Sequence, residues 1–427
     1  MSRRLIRALA ALLPALCMAA AADAAGAATV YVSNSAPVVP GGKSCAQPGF
    51  GAVQAGIEAA KGGTVDVCAG TYVEQVSITS PVKIVAVSGI GTATLAMPAS
   101  PARSESSCDT KANVEEGPLV QSDEVSICTT GTVSIAGVTV QAVIPLETCA
   151  NGLNGIFVGG GATLKSTSMT IDGASTSLNA YKGCQHGLAL RVGSASREEV
   201  GHATLKSDTI YGYEKNGPTV TGAGSTMSIV SSTVTGEGAT PYIAQNGIEV
   251  AYGGQASIKS TTVSGNECDH ASCGAEATQA SGVLFYQAAP GSKLSGSTVR
   301  ENDMGVYYAS GSATVPATPD VTILKDVLTS NRYEGAELEE GRASLVSDTI
   351  NGTGRVGIDL YQYDEQLSAS ESSAKNIKIS GQSEAAIKVE SDKQPGDIPG
   401  RFVITNSTET GNGALLINES NDFEVIF

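Results

Sequence analysis

The chain has 427 residues and a formal net charge of −16, with 50 Gly, no Trp and only 4% aromatic residues. Such acidity disfavours nucleic acid, whose recognition rests on basic patches that this sequence lacks. Abundant Ser, Thr, Val and Gly point instead to tight turns and a narrow core.

The first element in chain order is a targeting signal, expected over residues 1–28. Arg3, Arg4 and Arg7 form a basic start, Ala8 to Ala22 is an apolar run broken by Pro14, and Ala22-Asp23-Ala24 offers a small-residue cleavage site. The run is too short to cross a bilayer and no second one follows, so no membrane span is predicted. The expectation is an exported protein, extracellular or at the cell surface. Losing the signal removes three Arg and one Asp, which moves the charge from −16 to −18. Cys17 leaves with it, and the other eight of the nine cysteines read as disulfides of an oxidising compartment. Pairing neighbours along the chain predicts Cys45–Cys68, Cys108–Cys128, Cys149–Cys184 and Cys268–Cys273. Around Cys268 a metal site is the alternative, because Glu267, Asp269 and His270 adjoin it.

Residues 29–80 are expected to form a cap and a first coil. Phe50 to Lys61 places Val53, Ile57 and Ala60 on one helical face, breaks at Gly62-Gly63, and enters the strand Thr64 to Cys68. A solenoid needs a cover over its open apolar end, and an amphipathic helix supplies one.

Residues 81–427 repeat two phrases. Ala203 to Gly212 reads A-T-L-K-S-D-T-I-Y-G, Ala256 to Gly265 reads A-S-I-K-S-T-T-V-S-G, and Ala343 to Gly352 reads A-S-L-V-S-D-T-I-N-G; Met227 to Gly236 and Ala162 to Met169 are further copies. The second phrase begins at Gly155, Gly187, Gly217, Gly247, Gly282, Gly305, Gly335 and Gly357, with Ala386 in the same role, at intervals of 22 to 35 residues. After most of these positions the first and third residues are apolar, as in Ile248 and Val250 or Ile358 and Leu360, which is the period of a strand with one buried face. Short strands and turns at this interval predict a parallel β-solenoid. Asn266, Asn302, Asn331 and Asn351 follow corresponding strands, where a left-handed turn conformation is expected of them.

The opening resembles that of pectin-lyase-like right-handed parallel β-helix proteins. G-G-T-V-D-V at Gly62–Val67, G-T-Y-V-E-Q-V at Gly70–Val76 and the apolar strand Val82 to Val87 carry the likeness. It implies an all-β, right-handed parallel β-helix with a short N-terminal capping helix, continuous from residue 29 to 427. That superfamily includes pectin methylesterases, pectate lyases and polygalacturonases, and fold alone does not carry activity. Their catalytic signatures are mostly absent. The chain has no D-D pair, and only His186-Gly187 echoes the histidine-glycine of polygalacturonase-like sites. His186 is expected as a polar turn residue, and His202 and His270 as loop residues.

The second and fourth residues after each glycine should face outward and stack from coil to coil, about 4.8 Å apart. They read Ala189 and Arg191, Thr219 and Thr221, Glu249 and Ala251, Leu284 and Tyr286, Tyr307 and Ala309, Glu337 and Glu339, Asp359 and Tyr361, Lys388 and Glu390. Tyr286, Tyr307, Glu339, Tyr361, Lys388, Glu390 and Arg191 are thus candidates for binding polysaccharide or a cell-surface glycan, since ring faces cover sugar C–H groups and carboxylates accept hydroxyl hydrogen bonds. Glu249, Glu337 and Asp359 are the candidate catalytic carboxylates of a lyase or glycoside hydrolase. Glu337 and Asp359 could equally hold Ca²⁺, the one cofactor the stripe suggests and the resemblance to pectate lyases allows. A third reading is a solvated acidic face that keeps the protein soluble. The missing enzyme motifs favour a non-catalytic binding protein, with the enzyme as the alternative; loops at Asn266 to Ala280 and Tyr361 to Ala374 are where a cleft would form. Bare strand edges near Leu415 to Phe427 would invite self-association through that end.

Overall fold

The structure, a computed structural model, describes residues 28–102, 108, 120–145, 148–274, 277–310, 319–352, 354–362, 371–391, 400–420 and 423–427. The expected signal peptide and most of the Tyr361 to Ala374 loop lie outside the described residues. Each coil gives one strand to each of three parallel sheets. Sheet I has 14 strands, from Thr29–Val32 to Phe423–Ile426; sheet II has 12, from Gly70–Val73 to Thr408–Thr410; sheet III has 12, from Val76–Ile78 to Ala414–Asn418. In every sheet the hydrogen-bonded neighbour is the strand one coil away, so the chain winds as a right-handed parallel β-helix.

The two repeated phrases are the cross-section of one coil. The A-x-L half builds sheet I, the T-V half sheet II, and the glycine-started phrase sheet III. Side chains at period two fall in inward rows. In sheet I one row runs Leu205, Ile229, Ile258, Leu294, Ile323, Leu345, all buried. In sheet II a second runs Ile210, Val234, Val263, Val299, Leu328, Ile350. Each coil contributes only short strands, so burial of these rows on the coils above and below is the main favourable contribution.

The turn from sheet I to sheet II gives the serine of the phrase a left-handed backbone, as it does Gly296, Lys325 and Asn376 at the same position of other coils. Ser207, Ser231, Ser260 and Ser347 take positive φ of 56°, 53°, 51° and 61°, a conformation that costs free energy in a residue with a Cβ. The next residue offsets that cost by accepting a backbone N–H from the preceding coil. Asp208 N donates to Ser232 Oγ at 3.1 Å, Ser297 N to Asp326 Oδ1 at 2.6 Å, and Asp326 N to Asp348 Oδ1 at 2.8 Å.

Between sheets II and III the asparagines stack, although not in the expected conformation. The positive φ belongs to the residue before: Gly265 at 75°, Glu301 at 55°, Ser330 at 55°. Asn266, Asn302 and Asn331 lie buried in a ladder, with Asn266 Nδ2 donating to Asn302 Oδ1 at 2.8 Å and Asn302 Nδ2 to Asn331 Oδ1 at 3.0 Å. An amide both donates and accepts, so identical residues satisfy one another at the coil spacing. Asn351 ends a sheet II strand outside this ladder.

The glycine row has a steric cause. A Cβ on Gly282 would stand 2.7 Å from the carbonyl oxygen of Gly305, one on Gly305 2.4 Å from that of Gly335, and one on Gly335 2.6 Å from that of Gly357. Ala386 is tolerated one coil beyond Gly357, as expected. Gly305→Ala is therefore expected to cost several kcal/mol in chemical unfolding, because backbone rather than a flexible side chain must move. Ala386→Gly should cost about 1 kcal/mol or less; equal effects would rule out this account. In one coil the assignment moves: Leu188 pairs with Asn216, which places the buried Ala189, not Gly187, level with Gly217. Gly187 lies in the preceding turn at φ 91°.

The helix forms at Val53–Ala60 with Val53, Ile57 and Ala60 buried, as its periodicity predicts. Glu74 caps its N-terminus, accepting from Val53 N at 2.7 Å and Gln54 N at 3.0 Å, where a carboxylate also meets the positive end of the helix dipole. All four expected disulfides are present, with Cα–Cα distances of 5.6, 4.9, 5.2 and 6.0 Å in chain order. The alternative metal set at Cys268 is not assembled: Cys268 is bridged, Asp269 pairs with Arg332, and His270 bonds Ser272.

Candidate functional site

Two outward ladders cross sheet III. The first runs Arg191, Thr219, Glu249, Leu284, Tyr307, Glu337, Asp359, Lys388. The second runs Thr221, Ala251, Tyr286, Ala309, Glu339, Tyr361, Glu390. Glu337 and Asp359 are thus direct partners on adjacent coils, as are Glu339 and Tyr361. One position of the expected stripe changes: Ala189 is enclosed, and Arg191 stands level with Thr219 rather than Thr221.

These side chains do not form a solvated face. Glu339 and Asp359 are each 6% exposed and Lys388 5%. Sequence reasoning also missed Glu334, which precedes Gly335 and is only 2% exposed. A period-two count from the glycine gives Glu334 the inward parity of Ala336 and Leu338, so the pattern alone would not have found it. Three buried carboxylates, Glu334, Glu339 and Asp359, therefore share two adjacent coils with Glu337, which is half-buried among them. Burial pushes Glu337 well above the usual carboxylate range, and Glu339, Asp359 and Glu334 push it further by like-charge repulsion. Burial raises Glu334 to about 9, with Asp359 adding to the effect and Arg355 opposing it.

Fixed donors frame the cluster. Tyr307 Oη donates to Glu339 Oε1 at 2.7 Å. Lys388 bonds Glu390 and reaches Glu384 at 3.5 Å, while Arg355 Nε holds Glu384 at 2.8 Å. Toward the N-terminus the stripe changes character. Glu249 is raised by burial, but Lys215, Arg191 and bonds from Thr219 and Asn216 oppose the shift. Asn246 Nδ2 donates to Asn216 Oδ1 at 3.0 Å, and Ser281 Oγ to Asn246 Oδ1 at 2.8 Å. Between the two poles Tyr286 packs edge-on against Tyr252, with ring centroids 5.4 Å apart; Tyr252 is 52% exposed and was not foreseen. Arg191, Glu249, Tyr286, Tyr307, Glu337, Glu339, Asp359, Tyr361, Lys388 and Glu390 therefore share one face. Glu249 is separated from Glu337 by two coils, those of Leu284 and Tyr307.

The histidines lie elsewhere. His186 is 7% exposed, and burial lowers its basicity. His202 opens a sheet I strand rather than a loop, with Nδ1 at 2.8 Å from Thr226 Oγ1. A concavity of about 420 Å³ lies there, lined by Thr163, His202, Thr226 and Gln255 among others. None of its lining residues is a carboxylate.

The fold is a right-handed parallel β-helix. No sequence-family model and no curated protein matches the chain. Solved structures of similar shape include the A-module of an Azotobacter vinelandii mannuronan C-5 epimerase, at TM-score 0.47 and 12% identity over 87% of this chain and 94% of that one. A lacto-N-biosidase from Eubacterium ramulus gives 0.49 and 11% over 93% and 68%. The catalytic domain of an alpha-1,3-glucanase gives 0.48 and 11% over 88% and 66%. At these identities no residue role is carried across to this chain.

Proposed function

We propose that the protein acts on polysaccharide along sheet III, and that the site is catalytic, with Glu337 as general acid and Asp359 as its partner carboxyl group. The observation that carries this reading is the gathering of the buried carboxylates Asp359, Glu339 and Glu334 around the half-buried Glu337. A cluster of like charges held away from water destabilises the fold, and such arrangements concentrate where a raised carboxyl pKa serves proton transfer. A carboxyl kept protonated beside one that ionises is the division of labour that glycoside cleavage requires. Tyr286 and Tyr307 offer ring faces to sugar, and Arg191, Lys388 and Glu390 offer polar partners farther along the groove. The acidic pole favours a neutral glycan, or an anionic one bridged by Ca²⁺ through the same carboxylates.

The test is incubation of the protein with a panel of neutral and anionic polysaccharides, with Ca²⁺ and with chelator. Release of reducing ends or of unsaturated product is expected on at least one neutral glycan without Ca²⁺. Retarded migration in glycan-containing gels with no turnover would overturn the catalytic role and leave a binding protein. Activity that requires Ca²⁺ would reassign Glu337 and Asp359 as cation ligands.

A further inference from the structure

His186 is a buried group that the sheet III site does not use. It is 7% exposed, yet among the described residues neither Nδ1 nor Nε2 has a hydrogen-bond partner. A buried imidazole left unsatisfied costs free energy and calls for an explanation. The coil supplies one. Cys149 lies ahead of the sheet III strand Asn151–Gly159, and Cys184 and His186 lie ahead of the next, Leu188–Val192. A ring nitrogen of His186 and the two Sγ atoms all fall within 4.8 Å of one another.

In the oxidised protein the sulfurs are bonded to each other, and the imidazole faces a disulfide. Two thiolates and an imidazole form a donor set suited to Zn²⁺. Among the eight half-cystines Cys149 alone is exposed, so this bridge presents a sulfur to an attacking thiolate.

We propose that Cys149, Cys184 and His186 form a zinc site that opens when the Cys149–Cys184 bridge is reduced. A dithiol supplies two electrons and two protons and becomes a disulfide, while Cys149 and Cys184 become thiols. Binding of Zn²⁺ then releases both thiol protons to solvent, and His186 coordinates as neutral imidazole through one nitrogen. Three protein ligands leave the fourth tetrahedral position to water.

The experiment uses the whole protein, mild phosphine reduction and Co²⁺ as a coloured probe, with alkylation and mass mapping to identify the opened bridge. Cys149 and Cys184 are expected to be labelled first. Reduced protein should then bind one Co²⁺ with thiolate charge-transfer absorption, displaced by Zn²⁺, while oxidised protein shows none. His186→Gln, which keeps the turn's size and polarity, should weaken binding about tenfold or more. The pair Cys149→Ser and Cys184→Ser should abolish the signal. Equal binding by His186→Gln, equal binding by the double serine variant, or loss of near-ultraviolet dichroism before metal uptake would each overturn the site.

Discussion

Glu337→Gln is expected to lower kcat by about 10²–10⁴-fold on whichever glycan is turned over, the usual worth of a positioned general acid. Glutamine keeps the shape and neutral charge of the protonated acid and lacks only the transferable proton. Folding should therefore be preserved, and KM should change little. Asp359→Asn should lower kcat by a similar factor, for it removes the partner carboxyl group. The pH profile adds an independent check. Activity should hold through neutrality and fall only when Glu337 deprotonates. Burial and its acidic neighbours move that alkaline limb above the ordinary carboxylate range. Full activity in both variants would return the cluster to a purely structural role.

Thermal stability should fall as pH rises from about 5 to 9, the reverse of the usual behaviour of an acid-sensitive protein. Burial raises Asp326 and Asp348 to about 7, Glu214 to about 7, and Glu124 and Glu334 to about 9. In the unfolded chain these groups titrate near 4. Between the two values the native state binds more protons than the unfolded state, so stability is complete below about pH 4 and is lost as pH climbs through the folded values. Each group contributes on the order of a few kcal/mol across that window, enough to move Tm by several degrees. Glu384 runs the other way, since Arg355 lowers it; its stabilisation is lost in acid. The double variant Asp326→Asn and Asp348→Asn retains the Oδ1 acceptors for Ser297 N and Asp326 N but cannot ionise. It should flatten the decline between pH 5 and 8 in a melting series. A wild-type Tm that climbs with pH would contradict the raised values.

The same carboxylates show why a repeat can be read directly and a site only in part. Hydrophobic period two and the glycine interval are local patterns, and the solenoid repeats local geometry, so cap helix, strands, sheet faces and disulfide partners were all legible in the residues. Neighbouring half-cystines pair because a coil returns the chain to its own neighbourhood. The stacked asparagines were found, but their conformation was not. Which residue of a turn takes positive φ depends on what the next coil offers its amide.

The sequence by itself determined the winding, the register of the stripe from Thr219 onward, and the meeting of Glu337 with Asp359 on consecutive coils. Tertiary structure alone decided their surroundings. Exposure is a property of everything packed around a group, and no periodicity reports it; a stripe that counts as outward-facing can still be dry. Partial burial and the carboxylates of Glu339, Asp359 and Glu334 together push Glu337 above the usual carboxylate range, because desolvation and like charge act at short range in three dimensions. Tertiary structure also places His186 beside two sulfurs, Cys184 from its own turn and Cys149 from the neighbouring coil.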